Sequence, residues 1–446
     1  MRNFARGSET PVLIAISAMV AFAAVMLGAP PPPADDVGPT YAIRNCKIVP
    51  LAGPVIEKGA LVIRDGLIES LGPVDKIKIP EDAEIVEADG LIAYPGLISA
   101  FSNAFLEMPM RPEGPSSYEE FMQARTQPAQ PDPFPPGPGA FVLDQLKPKK
   151  PALESFHRAG FTTVLAAPVR GIFEGQSVVL NLNGEALRPM VLRNGAALHI
   201  NFTTERGAYP SSLMGTIAHI RQSFIDAEYY AARHAQYAKG PAGLKRTEYD
   251  PRLEALVPFV RDRRPVVFQC NNAEDIKRAL KIAAEFKLNA FLAGANEAWR
   301  AADVLKKNPV PLLVAVDFRP PQSSLYANEG EETRKKAEAE IYPANAANLA
   351  KEGVAFALVS GANPDGSSVL KNVRAAIKAG LARDAALRAL TVVPARYLGL
   401  DQALGTLEPG KIANVVLVKG EILDEGAQVA KVFVDGILFK YAEVAK

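Results

Sequence analysis

From Tyr41 onward the chain alternates apolar and polar positions with a period of two, the signature of half-buried strands. Ala60–Arg64 and Leu67–Leu71 flank Asp65-Gly66, and Val429–Val434 and Ile437–Tyr441 flank Asp435-Gly436. Asp-Gly between two such runs predicts a hairpin, because both turn positions favour positive φ. Isolated hairpins are marginal in water, so the two chain ends are expected to pack together in a small β-domain, with the middle inserted between them. That middle alternates short β-rich runs at 163–166, 177–182, 265–269, 290–293, 311–316 and 355–360 with helical patterns. Helices are predicted over Ser211–Tyr237, Ala273–Phe286, Ala298–Lys307, Pro343–Lys351, Ser368–Ala379 and Asp384–Leu390. Asn272 is placed as an N-cap, and Glu274 and Asp275 suit the first turn. Apolar strands alternating with helices imply a parallel sheet covered by helices. Its span of roughly 300 residues fits a (β/α)₈ barrel with insertions. A doubly wound sheet is the alternative, but no Gly-x-Gly-x-x-Gly follows a predicted strand.

Two segments depart from this rhythm. Arg2 and Arg6 precede an uncharged apolar run, Val12–Ala29, and then Pro30–Pro33. This reads as an export signal, cleaved or kept as a membrane tether, and places the protein outside the cytoplasm, in the periplasm or facing it. Residues 1–29 are thus signal or anchor and 30–40 a proline-rich linker. The stretch 107–151, rich in Pro, Gln and Ser, is either a lid or a disordered insertion. Among 446 residues, 50 Lys and Arg balance 49 Asp and Glu, which argues against nucleic acid as a partner. Two cysteines, Cys46 and Cys270, exclude a disulfide framework, and four histidines restrict imidazole chemistry.

Three sets of motifs resemble the amidohydrolase superfamily, in its imidazolonepropionase-like and dihydroorotase-like branch. The first is Ala42–Ile48, Val62–Ile68 and Ala88–Ile98, ending Pro95-Gly-Leu-Ile98. The second is Gly160–Val164 with Gly175–Val179. The third is Ala389–Ala395, Leu398–Leu400 and Gly405–Ala413, closing on Val434-Asp-Gly436. The resemblance implies an α/β fold: a (β/α)₈ barrel over 95–400, with a β-sandwich built from 41–94 and 401–446. It also implies zinc or another divalent metal held by His-x-His, a carboxylated Lys or Glu, two further His and an Asp at the strand ends.

This sequence has other residues at those positions. Phe101 and Asn103 stand for the His-x-His pair and Asn181 for the lysine. Gln269 and Asn271 flank the fifth strand's end, Gly294 replaces a histidine and Gly361 the aspartate. These seven define the expected ligand pocket, and no bound metal is expected. His157 is expected outside the barrel, His219 and His234 lie too far apart on one helix to share an ion, and His199 is placed near a strand end. Asp317, Glu297 and Asp365 are the candidate catalytic carboxylates, with Glu174 a pocket neighbour and Cys270 a possible nucleophile. Solvated charges and helix caps are the bland alternative for the carboxylates, and a buried thiol for Cys270.

Two functions follow as expectations. One is a pseudoenzyme, descended from hydrolases of non-peptide carbon–nitrogen bonds, that binds a small molecule or supports an active paralogue. The other is an active hydrolase with displaced ligands or a metal-free carboxylate mechanism. A homo-oligomer through the helix carrying Tyr229, Tyr230 and Tyr237 is a further expectation.

Overall fold

Both Asp-Gly pairs adopt the left-handed geometry that their hairpins demand, with φ of 51° and 75° at Asp65 and Gly66 and of 50° and 75° at Asp435 and Gly436. The computed structural model describes residues 38–106, 135–204, 209–318, 340–361 and 365–441. The expected signal, the linker up to residue 37 and residues 107–134 of the insertion lie outside them. The two chain ends meet in one eight-stranded sheet. Leu91–Pro95 is the join, parallel to Tyr41–Ile48 and antiparallel to Val415–Lys419. Main-chain bonds from Ile68 N to Lys411 O and from Ala413 N to Gly66 O bend the sheet back on itself. The fold encloses a core that includes Ile43, Ile48, Leu61, Ile63, Leu417 and Phe433. The expected β-domain of both chain ends is thus built from one hydrogen-bonded sheet folded over its core, because strands from the two termini pair edge to edge.

The larger part is a barrel of eight staves. In chain order they are Leu97–Ser102, Phe161–Ala166, the run Phe173–Gln176 plus Val178–Asn181, Leu198–Asn201, Pro265–Cys270, Asn289–Gly294, Leu312–Ala315 and Ala357–Val359. Staves four to eight are parallel neighbours, and the first two are parallel to each other. A parallel bridge between Ser102 and Gly361 closes the seam between first and eighth. Ser99 and Ser360 stitch that seam, their hydroxyls 3.0 Å apart and both donating to the Phe101 carbonyl.

The third stave runs antiparallel, pairing with the fourth through Phe173–Gln176 and with the second through Val178–Asn181. Only 167–172 separate it from the second stave, and a parallel return needs a crossover of about a dozen residues. The chain must therefore double back. The described end of the insertion packs on this stave: Gln176 N donates to Ala140 O at 2.7 Å and its Nε2 to Pro138 O at 3.0 Å.

Helices cover the outside. Ala273–Phe286 forms as predicted, Asn272 Oδ1 accepting from Asp275 N at 2.9 Å. Its Ile276, Ala279, Leu280, Ala283 and Phe286 recur at helical spacing and are buried in the main core. Each of the larger side chains contributes about 1.5–3 kcal/mol by leaving water. The long helix is Leu213–Lys239, capped by Ser212. No helix among the described residues is long and apolar enough to cross a membrane.

Candidate active-site region at the barrel mouth

Side chains alternate along a strand, so in the fourth stave Leu198 and Ile200 join the outer core while Ala197, His199 and Asn201 face the barrel axis. The antiparallel third stave begins at the same end, which brings Glu174 beside Asn201 and Gln269. Glu174 is 2% exposed. It accepts hydrogen bonds from Gln269 Nε2 at 2.5 Å and Asn201 Nδ2 at 3.2 Å. Burial pushes its carboxyl up to about 8, although the two carboxamides favour the ionised form. At neutral pH it is therefore mostly a neutral acid, able to donate and to accept. One step deeper lies His199, fully buried, its ring centroid 5.7 Å from that of Phe101. Neither ring nitrogen has a hydrogen-bond partner among the described residues, and burial lowers its pKa to about 3.

Of the seven expected pocket residues, Phe101, Asn103, Gln269, Asn271, Gly294 and Gly361 lie at the C-terminal ends of parallel staves. Asn181 does not. Because its stave is reversed, it lies at the opposite end, donating to Asp435 at 2.6 Å and accepting from Thr163 and Asn414. It joins the barrel to the C-terminal hairpin. Gly294 and Gly361 have φ of 86° and 61°. A Cβ on Gly294 would lie 3.3 Å from both Asn271 Oδ1 and the Cys270 carbonyl. The backbone there disfavours any L side chain, histidine included.

Two of the three candidate carboxylates are helix caps. Asp365 accepts from Ser367 N and Ser368 N, both at 3.2 Å, and Glu297 accepts from Ala273 N at 3.2 Å. The serine hydroxyls around Asp365 hold its pKa below the usual range against the opposing effect of burial. Asp317 follows the seventh stave, half-buried. Cys270 is fully buried, and its thiol is pushed well up by desolvation, unlike an activated thiolate. His157 is held outside the barrel axis by Tyr441 Oη at 2.5 Å and Leu182 O at 2.7 Å. His219 and His234 stay on the long helix, ringed by Tyr209 and Tyr230 respectively.

A divalent ion of the kind the resemblance implies needs several convergent imidazole, thiolate or carboxylate donors. Among the described residues no three His, Cys, Asp or Glu form such a group. Phe101 has no lone pair to offer and the neighbouring amides are neutral, so the donors present do not fit that metal. The residues that do converge, Glu174, Asn201, Gln269 and His199, come mostly from the third and fourth staves. The fourth is missed by periodicity, since Leu198–Asn201 is short and carries polar side chains inward.

Residues 327–438 match the model of the amidohydrolase family. Over 421 residues the chain is 24% identical to amidohydrolase tasK of Hapsidospora irregularis, covering 85% of this chain and 39% of that one. Over 67 residues it is 34% identical to the 5-methylthioadenosine/S-adenosylhomocysteine deaminase of Moorella thermoacetica, 15% of this chain and 16% of that one. The chain thus matches well under half the length of these curated relatives. The solved structure of an amidohydrolase from Thermotoga maritima is similar throughout, with a TM-score of 0.74 and 26% identity over 90% of this chain and 100% of that chain. Fold and sequence agree in their similarity to the amidohydrolase superfamily: the family model matches the C-terminal part of the chain, and the fold is shared with a solved amidohydrolase.

Proposed function

We propose that this protein is a hydrolase-derived binding protein, not a metal-dependent hydrolase, and that its barrel mouth holds a small polar ligand through Glu174, Gln269 and Asn201. The observation that carries the reading is the mouth itself: a buried carboxyl bonded to two carboxamides where the superfamily resemblance calls for metal ligands. Such a set recognises a ligand by neutral hydrogen bonds and leaves a divalent cation uncompensated. Metal content tests it. After incubation of the full chain with zinc or manganese and removal of excess, far less than about one equivalent should remain, because tight retention needs convergent deprotonated donors. Retention of one equivalent that is lost on replacing barrel residues overturns it.

A second reading is supported by the same carboxyl. An acid with a pKa near neutrality suits general acid–base catalysis, so Glu174 would serve a metal-free hydrolase of carbon–nitrogen bonds, the bond class that a deaminase cleaves. Turnover abolished in Glu174→Gln but kept in Glu297→Gln would favour it over the binding reading. The basic start and apolar run at Val12–Ala29 support an exported protein, testable by fractionation and by N-terminal sequencing of the mature chain. Self-association through the long helix, where Tyr229 is 67% exposed, is tested by light scattering.

A further inference from the structure

The barrel is hollow at the end away from Glu174. A cavity of about 200 Å³ opens there, walled by Ala100, Leu165, Ala197, Val267, Phe291 and Leu313. Pro265 and Asn289, the first residues of the fifth and sixth staves, mark its rim. Barrel interiors are ordinarily filled by bulky branched side chains in layers. Here alanines at 100 and 197 leave the space unfilled, and the short helix Val392–Tyr397 with Leu398 and Gly399 forms the floor. Tyr397 stands edge-on to Phe291, centroids 6.3 Å apart.

The wall is carbon, but the mouth is basic. Arg193 and Arg396 both line it, and among the described residues no Asp or Glu does. Arg193 spends Nη1 on Leu398 O at 2.7 Å and Nη2 on Gly399 O at 3.3 Å, which straps the floor to the barrel. A guanidinium has five N–H groups, so donors remain. Beside low-dielectric walls, two guanidinium groups favour an anion and present the fork that a carboxylate matches.

We propose that this cavity is a second ligand site, separate from the barrel mouth, for a small carboxylate with a compact apolar body: a monocyclic aromatic acid or a short branched-chain acid. The size argues for this class, since a cavity of roughly 150 Å³ is enough to hold benzene. The body fills the space between Ala100, Ala197 and Phe291, and the carboxylate faces Arg396 and Arg193.

Benzoate, isovalerate and the uncharged toluene are titrated into the full chain, with binding read by calorimetry and by the rise in melting temperature that selective binding to the native state produces. Saturable benzoate or isovalerate binding is expected, weakened about tenfold in Arg396→Ala, the scale of one charge-assisted hydrogen bond. Toluene should bind more weakly and be indifferent to Arg396. Ala197→Leu should abolish binding by filling the space. If that variant does not fold, the exposed Arg396→Ala still decides, since it leaves the core untouched. Glu174→Gln should bind benzoate as the wild type does. The proposal is overturned by no saturable acid binding up to about 10 mM, a concentration well above any Kd that a useful site would show. It is equally overturned by wild-type affinity in Ala197→Leu or Arg396→Ala, by toluene binding as tightly as benzoate, or by loss of binding in Glu174→Gln, which would put the acid at the mouth.

Discussion

Replacing Glu174 by Gln tests the electrostatics of the mouth directly. An unperturbed glutamate titrates at 4.5 and the buried one at about 8. Below pH 4.5 the carboxyl is protonated in both folded and unfolded chains and contributes no pH dependence. As pH rises from 4.5 to 8 the unfolded chain ionises while the folded one resists, so the native state loses stability, by about 1.4 kcal/mol per pH unit. The loss accumulates to ~5 kcal/mol and levels off above pH 8. His199 and His157, lowered by burial to about 3 and about 4, act in the opposite sense. They remove stability as pH falls below 6.5, so between 4.5 and 6.5 they oppose Glu174 in the wild-type profile. Subtracting the wild-type profile from that of Glu174→Gln cancels the histidines. Urea unfolding from pH 4 to 9 should give a difference in favour of the variant that climbs between about pH 5 and 8 and is flat outside that window. A difference that does not change with pH, with the variant less stable throughout, would mean that Glu174 is ionised in the fold and that the neutral-acid reading of the mouth is wrong.

Other expectations rest on single contacts. His199→Leu removes two buried nitrogens that have no partner among the described residues and should raise stability by ~1–3 kcal/mol at pH 7, and by more at pH 5, where the wild-type imidazole is penalised; a lower urea midpoint at both pH values refutes it. Asp435→Asn keeps the left-handed turn but sets an amide against the donors Asn181 Nδ2 and Asn183 Nδ2, at 2.6 and 2.7 Å. A loss of ~1–2 kcal/mol is expected, and a wild-type midpoint would remove Asp435 from the join between hairpin and barrel. Gly96→Ala would drive a Cβ into the Thr162 side chain where the chain passes from the small sheet into the barrel, costing ~1–3 kcal/mol in the same assay. Unchanged stability there would show that Thr162 moves aside freely.

The fold was largely legible because it is written in local terms. Period-two runs around Asp65-Gly66 and Asp435-Gly436 announced the hairpins, and an N-cap and amphipathic spacing bounded Ala273–Phe286 to the residue. Each of these signals depends on a few adjacent side chains and on backbone geometry that the same residues impose. The Pro95-Gly-Leu-Ile98 and Gly405–Ala413 motifs added the architecture by resemblance. The mouth was legible only in part: the sequence sets other residues where the resemblance implies metal donors, and Glu174 stood merely as a neighbour of the pocket. Strand direction decided the rest. Since 167–172 is too short for a helical crossover, the third stave reverses, carrying Glu174 to the mouth and Asn181 to the far end. The perturbed pKa values of Glu174 and His199 arise from desolvation, which depends on what staves distant in sequence bury between them. The hollow beneath Phe291 has the same origin, because whether an alanine leaves a cavity depends on what faces it across the barrel. Local patterns set the elements of this protein, while long-range packing set the chemistry between them.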